Sequence, residues 1–92
     1  MTYVATAIKM KHNCYYSYNL LEIDQICLNN SDWYKKEVLH NHVKNYPGSI
    51  KVGSLYGPDV IPAVSGNGEK YVKSAPNDTP NDNLLKLPRS ES

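Results

Sequence analysis

From Trp33 to Tyr46 the chain runs without Gly or Pro until Pro47-Gly48 stops it, and the half that follows is cut into short segments by Gly, Pro and Asx clusters. A stretch of that length and composition has room for a helix of about three turns, whereas the short segments do not. Asn29, Asn30, Ser31 and Asp32 stand just ahead of it as N-cap residue types, so the spacing predicts one helix over WYKKEVLHNHVKNY. Tyr34, Val38, His42 and Tyr46 recur at i+4 steps, flanked by Leu39 and Val43, and predict the stripe that packs on a sheet. Lys36, Glu37, Asn41 and Lys44 are expected on the solvent side.

The remaining segments read as strands. YVATAIKM opens the chain with Tyr3, Ala5 and Ala7 on one face and Val4, Thr6, Ile8 and Met10 on the other. A second extended stretch spans Leu20 to Leu28, with no clear choice of inner face. After the helix, SIKVGSLY, DVIPAV and EKYVKSA are β-rich and separated by Gly57-Pro58 and by Ser65-Gly66-Asn67-Gly68, the second a hairpin turn. Pro62 lacks a ladder donor, so its segment belongs at an edge or a bulge. The order ββαβββ predicts an α+β domain, one helix on a small antiparallel sheet, over residues 1–88, with residues 89–92 as a fraying tail. SAPNDTPND is loop chemistry, and Leu84, Leu85 and Leu87 before Pro88 are expected to cap one end of the core.

At 92 residues there is material for one core only, because a chain of this size buries little more than about 60% of its unfolded surface. Small domains make up the margin with disulfides, a metal or a partner subunit. The N-terminus lacks the features of a signal peptide, so Cys14 and Cys27 are expected as free thiols in a reducing, cytoplasmic setting, and no apolar run is long enough to span a membrane. A homo-oligomer is the expectation that remains.

The net charge of +1, with Lys and Arg scattered, argues against a dedicated nucleic-acid binder. Eight Tyr, one Trp and no Phe give rings with a hydroxyl at the tip, suited equally to a half-wet cleft or interface and to replacing Phe in a core.

Catalytic patterns are weak. His12, His40, His42, Cys14 and Cys27 are metal-ligand types at the wrong spacing: His40 and His42, two apart on a helix, point to different sides, so no metal or cofactor is expected. No nucleophile elbow is present, and Asp78 and Asp82, the best carboxylate pair, sit where loop Asp residues serve turns. A ligand-binding set is left. Tyr71 and Lys73 share one face of a strand, and Asp82-Asn83 re-enters the fold shortly afterwards. A ring to stack, a cation for phosphate and an amide for a base edge meet the needs of a nucleotide. Tyr56 and Tyr16 join the set as further rings. The competing reading makes Lys73 a solvated strand residue and Asn83 a turn cap.

The stretch GEKYVKSAPNDTPNDNLLKLP resembles the C-terminal signature of the family called domain of unknown function 3892, found in small bacterial and phage proteins. That signature reads aromatic, Ile or Val, Arg, Thr, an Asp-Gly loop, then Asp-Asn-Leu-Leu-x-Leu-Pro. Tyr71, Val72, Lys73, Ser74, Asp78, Asp82, Asn83, Leu84, Leu85, Leu87 and Pro88 follow it in order, and the opening VATAIKM strand and mid-chain helix fit as well. Lys73 stands where the family carries Arg and loses the planar fork, and CYYSYN replaces a His-rich second strand. The layout is also similar to phage sponges that sequester cyclic ADP-ribose signals of Thoeris defence. That likeness implies a non-catalytic homo-oligomer binding an anionic nucleotide, with tyrosines on adenine and Lys or Arg on phosphates. The alternative expectation is a protein-interaction module that inhibits or scaffolds a host protein through exposed tyrosines.

Overall fold

A computed structural model describes residues 2–17, 19–74 and 83–91. The elements are β1 (Tyr3–Met10), a 3₁₀ turn (Leu20–Glu22), β2 (Ile23–Leu28), β3 (Asp32–Lys35), α1 (Lys36–Asn45), β4 (Ile50–Val52), β5 (Val60–Val64), β6 (Lys70–Ser74), a second 3₁₀ turn (Asn83–Lys86) and β7 (Arg89–Glu91). The α+β class with one packed helix holds. The strands form two sheets: β3-β2-β1-β4 with β7 also on β1, and a separate β5-β6 ribbon.

β1 organises the larger sheet. β2 pairs antiparallel along one side of it, and the other side is divided between β4, parallel to Tyr3–Ala5, and β7, parallel to Ile8–Met10. The sheet is therefore mixed rather than wholly antiparallel. Residues 89–91, expected to fray, are held as β7 because the Arg89 guanidinium donates to the carbonyls of Tyr15 (2.9 Å), Ser17 (2.7 Å) and Leu85 (2.5 Å). The alternation expected in β1 also changes phase. Ala5 pairs with Leu28 and Ala7 with Cys27, so β1 advances two residues for one on β2. This bulge turns Ala5, Ile8 and Met10 all toward the core.

The helix starts later than its N-cap run suggests. Asn29 and Asn30 adopt left-handed φ of 55° and 56°, and Ser31 N–H closes the turn on Leu28 C=O at 3.0 Å. Asn29, Asn30 and Ser31 thus form a tight three-residue connection that folds Asp32–Lys35 back on β2 as β3. Asn tolerates the left-handed region as readily as it caps a helix, and Trp33 and Tyr34 favour a strand. Asn29 Oδ1 accepts from Val4 N–H, and Thr6 Oγ1 from Asn30 N–H, fixing the turn to β1.

The inner face of α1 also differs from the predicted stripe. Lys36, Leu39, His40 and Val43 are buried, while Val38 and Tyr46 are exposed and His42 lies between. Burying Lys36 requires a counter-charge. Its ammonium, only 2% exposed as a residue, sits 3.1 Å from Glu69 Oε2 and 3.5 Å from Glu37 Oε1, and Lys11 reaches Glu69 at 3.4 Å. The ion group ties the end of β1, the start of α1 and the β5-β6 hairpin together.

α1 packs chiefly on the β5-β6 ribbon and also touches β2 and β3. The core draws Ile8, Met10, Ile23 and Ile26 from the sheet, Leu39 and Val43 from α1, Val60 and Val72 from the ribbon, and Leu84 and Leu85 from the second 3₁₀ turn. The leucine cluster thus caps the core as expected. Pro62 lies opposite Val72 in the two-stranded ribbon, where a missing donor on the outer side breaks no ladder. Among the described residues no helix is long and apolar enough to cross a membrane.

Candidate functional site

Tyr71 and Lys73 are half-buried on one face of β6, opposite the buried Val72 and Ser74. Their ribbon partners are Ala63 and Ile61. Asp82 lies outside the described residues, as does Asp78; Asn83 opens the second 3₁₀ turn, but its side chain lies outside the described structure. Tyr56 is 99% exposed in the turn after β4, and Tyr16, 85% exposed, meets Tyr15 edge to face at 5.0 Å. No hydrogen bond or ring contact among the described residues joins Tyr16 or Tyr56 to Tyr71 or Lys73.

A different set of rings converges on the other flank of the helix. Tyr3 begins β1 beside β4: its N–H donates to Ser49 C=O at 2.8 Å, and it pairs with Ile50. That register places its ring against α1, 5.9 Å from His42 and edge-on at 75°. His42 and Tyr46 are i,i+4 neighbours on α1 with ring centroids 5.3 Å apart. Pro47-Gly48 then turns the chain, Gly48 taking a φ of 79° that a side chain would disfavour. Ser49 follows directly and shares a lining with these rings.

These residues wall a cleft of about 470 Å³ lined by Tyr3, His42, Tyr46, Pro47, Gly48 and Ser49, with Thr2 at its rim. A smaller hollow of about 120 Å³, lined by Tyr34, Val38 and Leu39 among others, adjoins it through the shared Tyr3 and His42. The Ser49 hydroxyl is buried and has no hydrogen-bond partner among the described residues. A hydroxyl out of water and unpaired is costly, so Ser49 has a bond left to make beside the polar groups of Tyr3, His42 and Tyr46 that also line the cleft. No Lys or Arg is among the lining residues.

The sequence showed half of this. The i+4 series of His42 and Tyr46 was visible as a stripe, yet read as core; what it lacked was the β1–β4 register that sets Tyr3 and Ser49 against it. His40 and His42 do diverge, His40 toward Tyr71 and His42 toward Tyr3. Among the described residues no three His, Cys, Asp or Glu side chains are grouped to hold a metal ion. Both cysteines are free: Cys27 is buried, and Cys14 donates to Glu22 Oε2 at 2.8 Å. Beside Lys36, which hydrogen-bonds it and supplies the nearest positive charge, the Glu69 carboxyl titrates below its ordinary value, with Lys11 adding to the effect.

No curated protein and no solved structure matches the chain. The sequence model of one family matches residues 5–88, from the bulged first strand to the proline after the leucine cap. The chain therefore belongs to the family described as Protein of unknown function (DUF3892).

Proposed function

We propose that this protein is a non-catalytic binding module that takes up a planar, ring-bearing small molecule in the Tyr3–His42–Tyr46 cleft. The observation that carries the reading is the Ser49 hydroxyl, buried and without a partner among the described residues, in the lining of a cleft walled by three rings. Rings supply stacking area with little rotamer entropy to lose, and one polar atom fixes the orientation of the guest. The chemistry tried first is that of cyclic nucleotides and cyclic ADP-ribose isomers, whose sequestration would make the protein an anti-defence sponge. With no Lys or Arg in the lining, the cleft recognises the base, and the phosphates point outward. We place the protein in a reducing cytoplasm, consistent with free Cys14 and Cys27.

A thermal-shift panel of these compounds, followed by heat denaturation and recovery of the ligand, tests the proposal. At a hundredfold excess over Kd a bound ligand stabilises by about 2.7 kcal/mol, a rise on the order of 10 °C for a domain of this size. The expected result is such a rise with the ligand recovered intact. No shift across the panel refutes the assignment, and recovery of a converted product refutes the non-catalytic part.

A second reading is favoured by one surface: Trp33 is exposed on β3, the open edge strand of the larger sheet, as in a protein-docking face. Trp33→Ser would then abolish a pull-down while leaving small-molecule binding intact.

A further inference from the structure

Helix α1 carries a second polar group that the ring cleft does not use. His40 is only 4% exposed, and its Nδ1 lies 3.0 Å from the carbonyl oxygen of Tyr71. A carbonyl can only accept, so Nδ1 carries a proton, and in the neutral ring the lone pair is at Nε2. Among the described residues no protein group bonds to that nitrogen. The same residue lines a cleft of about 280 Å³ together with Lys44, Pro62, Ala63 and Val64. His40 and Lys44 are i,i+4 neighbours, which sets their Cβ atoms roughly 5–6 Å apart on one helix flank. The cleft therefore presents one oriented acceptor, one cation and a hydrocarbon wall supplied by β5.

We infer that this cleft is a second small-molecule site, built for a compact 2-hydroxycarboxylate. The ligand hydroxyl donates to His40 Nε2, its carboxylate pairs with the Lys44 ammonium, and its hydrocarbon part rests on Pro62, Ala63 and Val64. An apolar acid without the hydroxyl leaves Nε2 unpaired. Inorganic phosphate brings oxygens on every side, and three of the five lining residues have no polar side chain to meet them. The Tyr71 bond gives the site its orientation, because it locks the ring tautomer in the way backbone carbonyls lock ligating histidines. This inference is independent of the ring cleft, which lies on the other flank of α1.

Side-chain ¹H–¹⁵N spectra of the histidines in the full chain, titrated with lactate, propionate and inorganic phosphate, test it. Lactate is expected to move the His40 Nε2 resonance saturably, and propionate to leave it in place. Lys44→Met should weaken the lactate response about tenfold, the loss of one charge-assisted contact. In His40→Asn the amide nitrogen can replace Nδ1 toward Tyr71 while nothing replaces Nε2, so a folded variant that no longer binds lactate supports the site. Should that variant not fold, Lys44→Met and the propionate comparison decide. The assignment is overturned if lactate leaves Nε2 unmoved, if propionate moves it equally, if phosphate alone moves it, or if Lys44→Met binds lactate unchanged.

Discussion

Replacing Arg89 with Met removes the cation that holds both the loop after β1 and the C-terminal strand. In the folded protein this guanidinium donates to three carbonyls, those of Tyr15 at 2.9 Å, Ser17 at 2.7 Å and Leu85 at 2.5 Å. A hydrogen bond from a charged donor contributes about 1.5–3 kcal/mol, but Arg89 is only partly buried: the lower end applies to the part-buried Ser17 and Leu85 bonds, and the exposed Tyr15 bond adds almost nothing. With that discount the expected loss is about 3 kcal/mol, against a total of roughly 5–10 kcal/mol for a domain of this size. For 92 residues at about 2.1 cal/mol/K each, the unfolding entropy near Tm is about 0.19 kcal/mol/K, so Tm should fall by about 15 °C. Urea unfolding gives the free energy, and amide exchange shows where it is lost: the Ser17 amide and the Ile8 amide, which donates to Pro88 C=O at 2.9 Å, should exchange faster. Arg89→Lys keeps the charge without the fork and should lose about half as much. A Met variant within about 0.5 kcal/mol of the parent, with exchange at Ile8 unchanged, would show that β7 is not held by this side chain.

Two further perturbations probe the frame around the site. Because the carboxyl of Glu69 is lowered below the ordinary 4.5 by Lys36 and Lys11, its contribution to stability is complete above the unfolded value and is lost as pH falls through the folded one. The urea midpoint should therefore drop below about pH 4.5 in the parent and drop less steeply in Glu69→Gln; parallel curves would contradict this. At Gly57 a Cβ would stand 1.9 Å from Val52 O, so Gly57→Ala must push the β4–β5 connection apart and should cost about 2–3 kcal/mol in chemical denaturation, whereas Gly66→Ala, which meets nothing, should be near neutral.

What the residues revealed and what they hid follow from the range of the interactions involved. β1, the Ser65–Gly68 hairpin, the helix stop at Pro47-Gly48 and the leucine cap are written in local chemistry and were readable as such. The Asn29-Asn30 pair was equally visible but ambiguous, since Asn serves an N-cap and a left-handed turn alike, and only pairing with β2 selects the turn. The bulge at Ala5–Ala7 defeats simple alternation by inserting one residue. Lys36 could not be read as buried without knowing that Glu69, far along the chain, is folded against it. Of the candidate site, Tyr71 and Lys73 fall on one face as the strand period required, and the helical stripe of His42 and Tyr46 was found. Its partners Tyr3 and Ser49 come from the parallel β1–β4 pairing, which no local signal encodes.

The central claim is that the ring-walled cleft, rather than the ribbon alone, takes the ligand. Its most direct test is a ¹H–¹⁵N correlation map of the full chain titrated with a compound from the nucleotide panel that shifts Tm. The amides of Tyr3, His42, Tyr46 and Ser49 are predicted to move together. Tyr46→Ser should weaken binding by roughly tenfold, as loss of one stacking ring requires, with little dependence on salt. Shifts confined to Tyr71 and Lys73, with Tyr46→Ser binding as the parent does, would contradict the account.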